Sequence, residues 1–184
     1  KYNKPGNVYL GLVHRLDRPV GGVMVFAKTS KSAGRLSNQV REKQFQKTYL
    51  VIVNGKMESS RGTLQDYLLK NERANMSKVV KEGTKNSKLA ILDYEVLKYD
   101  EELNLSVLRI NLHTGRHHQI RVQLSSRDHS IYGDQKYGGR GHGKQIALWA
   151  YSLSFIHPIT KERMEFRVLP EIIGSWKILE GVEL

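Results

Sequence analysis

A chain of 184 residues that is 39% hydrophobic and 26% charged is long enough to bury a sizeable core and too apolar to be disordered throughout, so one folded domain over residues 1–184 is expected. Thirty Lys and Arg against eighteen Asp and Glu leave a net charge of +12, which favours a polyanionic partner, nucleic acid first, over charge kept only for solubility. The absence of cysteine excludes a disulfide framework and a thiolate metal site, and no 18-residue apolar run, signal-peptide pattern or basic amphipathic helix points to a membrane, so a cytoplasmic protein is expected.

In chain order, Val8 to Val13 and Gly22 to Lys28 read as strands on either side of a polar loop. That loop is Val13-His14-Arg15-Leu16-Asp17-Arg18-Pro19-Val20-Gly21-Gly22, with one carboxylate between two arginines, then a proline and a double glycine. The flanking cations favour the ionised form of Asp17 and are expected to hold it. An ordinary loop aspartate in surface ion pairs is the plainer alternative. Ser30 to Gln44 has Ala33, Leu36 and Val40 at helical spacing behind Ser30 as the N-cap. Thr48 to Val53 is β-branched and aromatic, ends at Asn54-Gly55, and reads as a buried strand.

Arg61 to Glu82 is mostly polar and reads as a hairpin or excursion. Leu89 to Tyr99 and Leu103 to Leu112 alternate as paired antiparallel strands around Asp100-Glu101-Glu102. His117 to Leu124 is a short helix after the glycine turn of Leu112-His113-Thr114-Gly115-Arg116-His117-His118-Gln119-Ile120-Arg121-Val122. Ile146 to Phe155 with Arg163 to Val168 form a last strand pair, and Ile172 to Leu179 a closing helix. Many strands with few crossover helices give an α+β class, a mixed and largely antiparallel sheet flanked by helices.

Three motif-like patterns fail on chemistry. Gly138 to Lys144 has the spacing of a phosphate loop, but Gln145 stands where a hydroxyl would bind magnesium, and strand residues follow; a basic surface loop touching nucleic acid is the better reading. His14-Arg15-Leu16-Asp17 is not a kinase catalytic loop, because there the aspartate directly follows arginine. His113 and His117 are four apart, yet Thr114-Gly115 breaks the helix that paired zinc ligands would need.

His14-Arg15-Leu16-Asp17, Lys47-Thr48-Tyr49-Leu50, Thr114-Gly115-Arg116-His117-His118-Gln119-Ile120-Arg121, and Gly133-Asp134 before Tyr137-Gly138 stand in an order and spacing that resemble the RluA-type family of pseudouridine synthases. The resemblance runs from about Val13 to Pro170. It departs at Val20-Gly21-Gly22, where many members carry Thr-Ser-Gly, and at His117, where threonine is commoner. Members also carry chain upstream of the aspartate loop, so a truncated N-terminus is expected.

The resemblance implies isomerisation of uridine to pseudouridine in ribosomal or transfer RNA, with no cofactor and no metal. It makes Asp17 the catalytic carboxylate, acting either at C1′ as a nucleophile or on the C2′ proton, and Arg121 its salt-bridge partner. Tyr49 would stack on the uracil and serve the late proton removal at C5. Ile120 would line the uracil pocket, Arg15 would contact the RNA backbone or fill the gap left by the displaced nucleotide, and Arg116, His118 and Gln119 would bind substrate. Asp134, in its Gly-Asp turn, reads as structural, which counts against a two-carboxylate glycoside hydrolase. A noncatalytic RNA-binding module would leave the Asp17, Tyr49 and Arg121 set unexplained. A monomer is slightly favoured.

Overall fold

The computed structural model describes residues 8–138 and 145–184. Three very short strands, β1 (Gly11–Leu12), β2 (Gly21–Gly22) and β3 (Phe26–Ala27), precede the helix α1 (Ser30–Arg41). Then come β4 (Gln46–Asn54), β5 (Arg61–Asn71), β6 (Met76–Val80), β7 (Lys88–Asp100), β8 (Leu105–Leu112), the helix α2 (Gln119–Ser125), β9 (Leu148–Ile156) and β10 (Arg163–Arg167). A 3-10 turn over Gly174–Leu179 closes the chain.

The main sheet has the order β10-β9-β4-β8-β7-β5-β6, with β2 added on β9. Each ladder along that path is antiparallel and β2 runs parallel to β9, so the sheet is mixed and mostly antiparallel, as the alternating strand patterns imply.

The central strand β4 explains why its sequence is apolar without a break. Side chains alternate across a strand, and Tyr49, Val51 and Val53 pack on one face while Leu50 and Ile52 pack on the other. The first face is covered by Ile120 and Leu124 of α2. The second is covered by Ile178 and Leu179 of the closing turn. Both layers are buried, so no position in the middle of β4 has a solvent side to make polar.

Three expectations change in detail and one is narrowed. Val8, Leu10 and Leu12 are exposed, and the two strands predicted around the aspartate loop shrink to the two-residue pair β1 and β3. The N-cap of α1 is Thr29, whose hydroxyl accepts the Ser32 N–H at 3.1 Å, and the helix ends at Arg41, not Gln44. Of the two readings of Arg61 to Glu82, hairpin or excursion, the hairpin is the one found, and its β5 also pairs with β7 in the main sheet. The closing helix is 3-10, not α. The glycine-rich loop read from Gly138 to Lys144 falls, from 139 onward, outside the described residues.

Candidate active site

The aspartate loop is fixed at both ends. The Val20 N–H donates to the Asp17 carbonyl at 2.9 Å, closing a turn over Arg18 and Pro19. Gly21 and Gly22 then lie against Trp149 and Ala150 of β9. A Cβ on Gly21 would stand 2.3 Å from the Trp149 ring, and one on Gly22, at φ +123°, would stand 2.2 Å from the Ala150 carbonyl oxygen. Only glycine lets the chain pass this close, and the passage anchors the turn that carries Asp17. Leu16 and Val20 plug the same loop into the core beside Tyr49 and Ile120.

Arg15 and Arg18, the sequence neighbours expected to hold Asp17, are exposed, and neither makes an ion pair with it among the described residues. The stretch from Val13 to Asp17 is irregular and the chain turns at Arg18 and Pro19, so adjacency in sequence does not deliver a guanidinium to the carboxylate. The partners of Asp17 come from α2 and its N-terminal edge. Arg121 Nη1 donates to Asp17 Oδ2 at 3.3 Å, and His118 Nε2 lies 3.7 Å from the same oxygen.

Arg121 is more firmly bound elsewhere. Its Nε and Nη2 donate to the two oxygens of Asp134 at 2.8 and 2.6 Å, and the Asp134 side chain is wholly buried. Burial pushes the Asp134 carboxyl up, but the bonds and charge of Arg121, with the Lys136 and Tyr137 N–H groups, outweigh it and hold the group below the usual carboxylate range. For Arg121, burial works against the charge, the Asp134 bonds restore it, and the net shift is upward. The Gly133-Asp134 turn is therefore structural in a specific sense. It clamps two arms of a buried guanidinium so that the third faces Asp17.

A polar chain backs this clamp. The Ser77 N–H of β6 donates to the Tyr137 hydroxyl at 2.7 Å, and that hydroxyl lies 2.8 Å from His118 Nδ1. Tyr137 also sits with its ring centroid 5.2 Å from the Arg121 guanidinium carbon, within cation–π range. His117 stacks on His118 at 3.8 Å and bonds Ser77 Oγ and Asn75 Oδ1. His113 instead pairs with Asp93, so the two histidines spaced like zinc ligands point to different partners.

Tyr49 is buried in the cleft wall, where β4 meets β9 across an irregularity: Thr48 pairs with Ser152 and Tyr49 with Ala150, leaving Tyr151 over. Such a bulge re-aims the side chain beside it. Burial first, and the negative charge of Asp17 second, push the Tyr49 phenol up to about 12. It is a neutral phenol at pH 7, and this environment opposes its serving as a ready-made base. Ile120 lines the cleft from α2.

Gln119 is buried and committed inward. Its Oε1 accepts from the Thr114 hydroxyl and the Arg116 N–H, and its Nε2 donates to the Ile91 carbonyl and to Gln123. The Arg116 Nε donates to the Leu89 carbonyl at 2.7 Å. Gln119 and this arm of Arg116 hold the Thr114–Arg116 loop in place.

The cleft bounded by these groups has a volume of about 690 Å³, enough for a nucleotide-sized ligand. Among the described residues, Arg15, Arg41, Lys43, Lys47, Arg116 and Arg121 line it, against the one carboxylate of Asp17. His14 and Lys47 also line the cleft, although the motifs that contain them imply no role for either. Burial, with Lys47 adding to it, drives the His14 imidazole down to about 4, and burial lowers the Lys47 ammonium. Lys47 could have been found from the period of two that puts it on the face of Tyr49.

A carboxylate, a clamped guanidinium and a buried aromatic stand together in a basic, nucleotide-sized cleft. The family model described as RNA pseudouridylate synthase matches residues 1–126. The tRNA pseudouridine synthase C of Haemophilus influenzae is 34% identical over 83% of this chain and 70% of its own length. The ribosomal large subunit pseudouridine synthase C of the same organism is 33% identical over 89% of this chain and 52% of its own. The structure of human RNA pseudouridylate synthase domain containing 1 superposes with a TM-score of 0.77 at 25% identity, over 91% of this chain and 72% of that one. The chain belongs to the RNA pseudouridylate synthase family. It spans about half the length of most of the curated relatives it matches.

Proposed function

We propose that this chain isomerises uridine to pseudouridine in structured ribosomal or transfer RNA, with Asp17 as the catalytic carboxylate. The observation that carries the reading is the Asp17 carboxylate in a basic cleft, facing Arg121 at 3.3 Å and sharing the cleft with the buried Tyr49. In the reaction the C1′–N1 bond breaks, the uracil turns while bound, a C1′–C5 bond forms, C5 loses a proton and N1 gains one. No atom is added or removed overall. Asp17 serves either by bonding to C1′ or by taking the C2′ proton, and both routes need it ionised and aimed. Arg121 supplies the aim, since two of its arms are fixed on Asp134 before RNA arrives.

Tyr49 offers its ring as a stacking platform and a neutral hydroxyl beside the base. Ile120 walls the uracil on the α2 side, and a base held in this cleft has left its stack in the RNA. The exposed cation Arg15, with Arg41, Lys43 and Arg116, meets the backbone around the displaced nucleotide.

The test is tritium release from RNA carrying 5-tritiated uridine, with pseudouridine mapping in cells with and without the gene to name the target. Asp17→Asn is expected to keep its fold and RNA affinity and to release no tritium. Release by that variant at more than a small fraction of the wild-type rate would sink the assignment.

A further inference from the structure

His118 begins α2 with left-handed backbone angles, φ 53° and ψ 27°, and makes no side-chain cap to the helix. Glycine adopts that conformation without strain and an imidazole does not, so local backbone preference does not explain the residue. Its side chain is buried at the back of the cleft, 3.7 Å from Asp17 Oδ2.

Hydrogen-bond accounting favours one position for its proton. The Ser77 backbone N–H can only donate, so the Tyr137 oxygen accepts from it at 2.7 Å. The hydroxyl has one further partner among the described residues, His118 Nδ1 at 2.8 Å; sending its proton there gives every donor an acceptor, whereas an Nδ1–H would leave the hydroxyl proton without a described acceptor and set an Nε2 lone pair against the Asp17 carboxylate. A neutral imidazole that accepts at Nδ1 carries its hydrogen on Nε2, the nitrogen that faces Asp17. Burial drives the imidazole down to about 4, Arg121, His117 and Lys136 act in the same direction, and Asp17 alone among its charged neighbours opposes them.

We propose that His118 is a positioning residue for the isomerisation: the Ser77–Tyr137 chain locks it as the Nε2–H tautomer, and it presents an uncharged N–H to the Asp17 oxygen that Arg121 also holds. The proposal rests on the isomerase reading and adds to it. A cation here would share its proton with the carboxylate. A neutral donor holds the carboxylate in place and leaves it free to act. The 3.7 Å gap is longer than a hydrogen bond, and such contacts tighten when substrate closes a site.

Two experiments test it. On the wild-type protein without RNA, two-bond nitrogen–proton correlations of labelled histidine, with His118 assigned by its loss in His118→Gln, should give the Nε2–H pattern at pH 7 and no titration down to about pH 5. The Nδ1–H pattern, or protonation near pH 6.5, overturns the proposal whatever the activity. In single-turnover conversion, His118→Gln keeps an amide N–H where Nε2 stood and is expected to stay within about tenfold of wild type, while His118→Leu, of similar bulk and with no donor, falls about 100-fold. Equal rates for two variants that both melt as folded proteins overturn it. A wild-type protein with the expected tautomer that converts no RNA overturns the isomerase reading and the proposal with it.

Discussion

Arg121 serves two carboxylates at once, and the distances rank them. Two short bonds go to Asp134 and one of 3.3 Å goes to Asp17, so the guanidinium is a fixed part of the scaffold that offers one arm to the chemistry. Lysine is a point charge and cannot make both arms of the Asp134 fork. Arg121→Lys therefore leaves part of a wholly buried carboxylate unpaired, and a loss of about 1–3 kcal/mol is expected in the denaturant midpoint, together with slower single-turnover conversion. A variant that melts as wild type would show that the Asp134 clamp contributes nothing to the fold. Because the Asp134 carboxyl is held below its ordinary range, its contribution is present above the unfolded carboxyl's pKa and is lost as pH falls through the folded one. Arg121→Lys should accordingly narrow the difference between melting at neutral and at acid pH.

At the scale of elements, the close pass of Gly21 and Gly22 along β9 is where the Asp17 turn is set. Gly22→Ala must place a methyl into the Ala150 backbone at a positive φ, and a cost of about 1–3 kcal/mol is expected, with Asp17 displaced and conversion slowed. Gly34→Ala is the control in the same background. Gly34 lies on the exposed side of α1, where an added methyl meets nothing within 4 Å, and helix propensity predicts a gain of about 0.5–1 kcal/mol in thermal or denaturant unfolding. Equal effects at the two glycines would refute the role given to the β2 passage. The contrast also separates what the chain alone discloses from what it conceals. The long strands β4, β7 and β8 and the helix α1 are legible, β4 from its unbroken β-branched and aromatic run and the others from a period repeated several times over. The strands β1, β2 and β3 have two residues each, too few to show any period, and β2 exists only because β9 arrives from 128 positions away. The site divides in the same way. Asp17, Tyr49 and Arg121 stand in motifs, whereas the clamp by Asp134 and the Ser77–Tyr137–His118 chain join separate elements and follow from no local pattern.

The whole molecule carries +12, and among the described residues six cations line the cleft against one carboxylate, so under the proposed function the electrostatic work falls chiefly on capturing RNA. Neutralising phosphates releases their counterions, and log affinity should fall linearly with log salt by roughly 0.7–0.9 for each phosphate contacted. A basic face of this kind is expected to give a slope of several units. Exposed Arg15 lines the cleft beside the aspartate turn, and no ion pair to it is found among the described residues. Arg15→Ala is expected to lower the slope by about one contact, 0.7–0.9, and to weaken all RNA sequences alike. The chemical step behaves differently. Asp17, Arg121 and Asp134 are packed together with one buried acid and one buried base, where mobile ions screen poorly beyond the reach of solvent. Single-turnover rates on saturating RNA should thus change little between 50 and 200 mM salt, roughly the range over which nucleic-acid affinity falls steeply. Filter binding across that range gives the slope, and rapid quench gives the rate. A flat slope would remove RNA capture from the functions of the basic face, and a rate that falls as steeply as affinity would place the screened charges in the reaction itself.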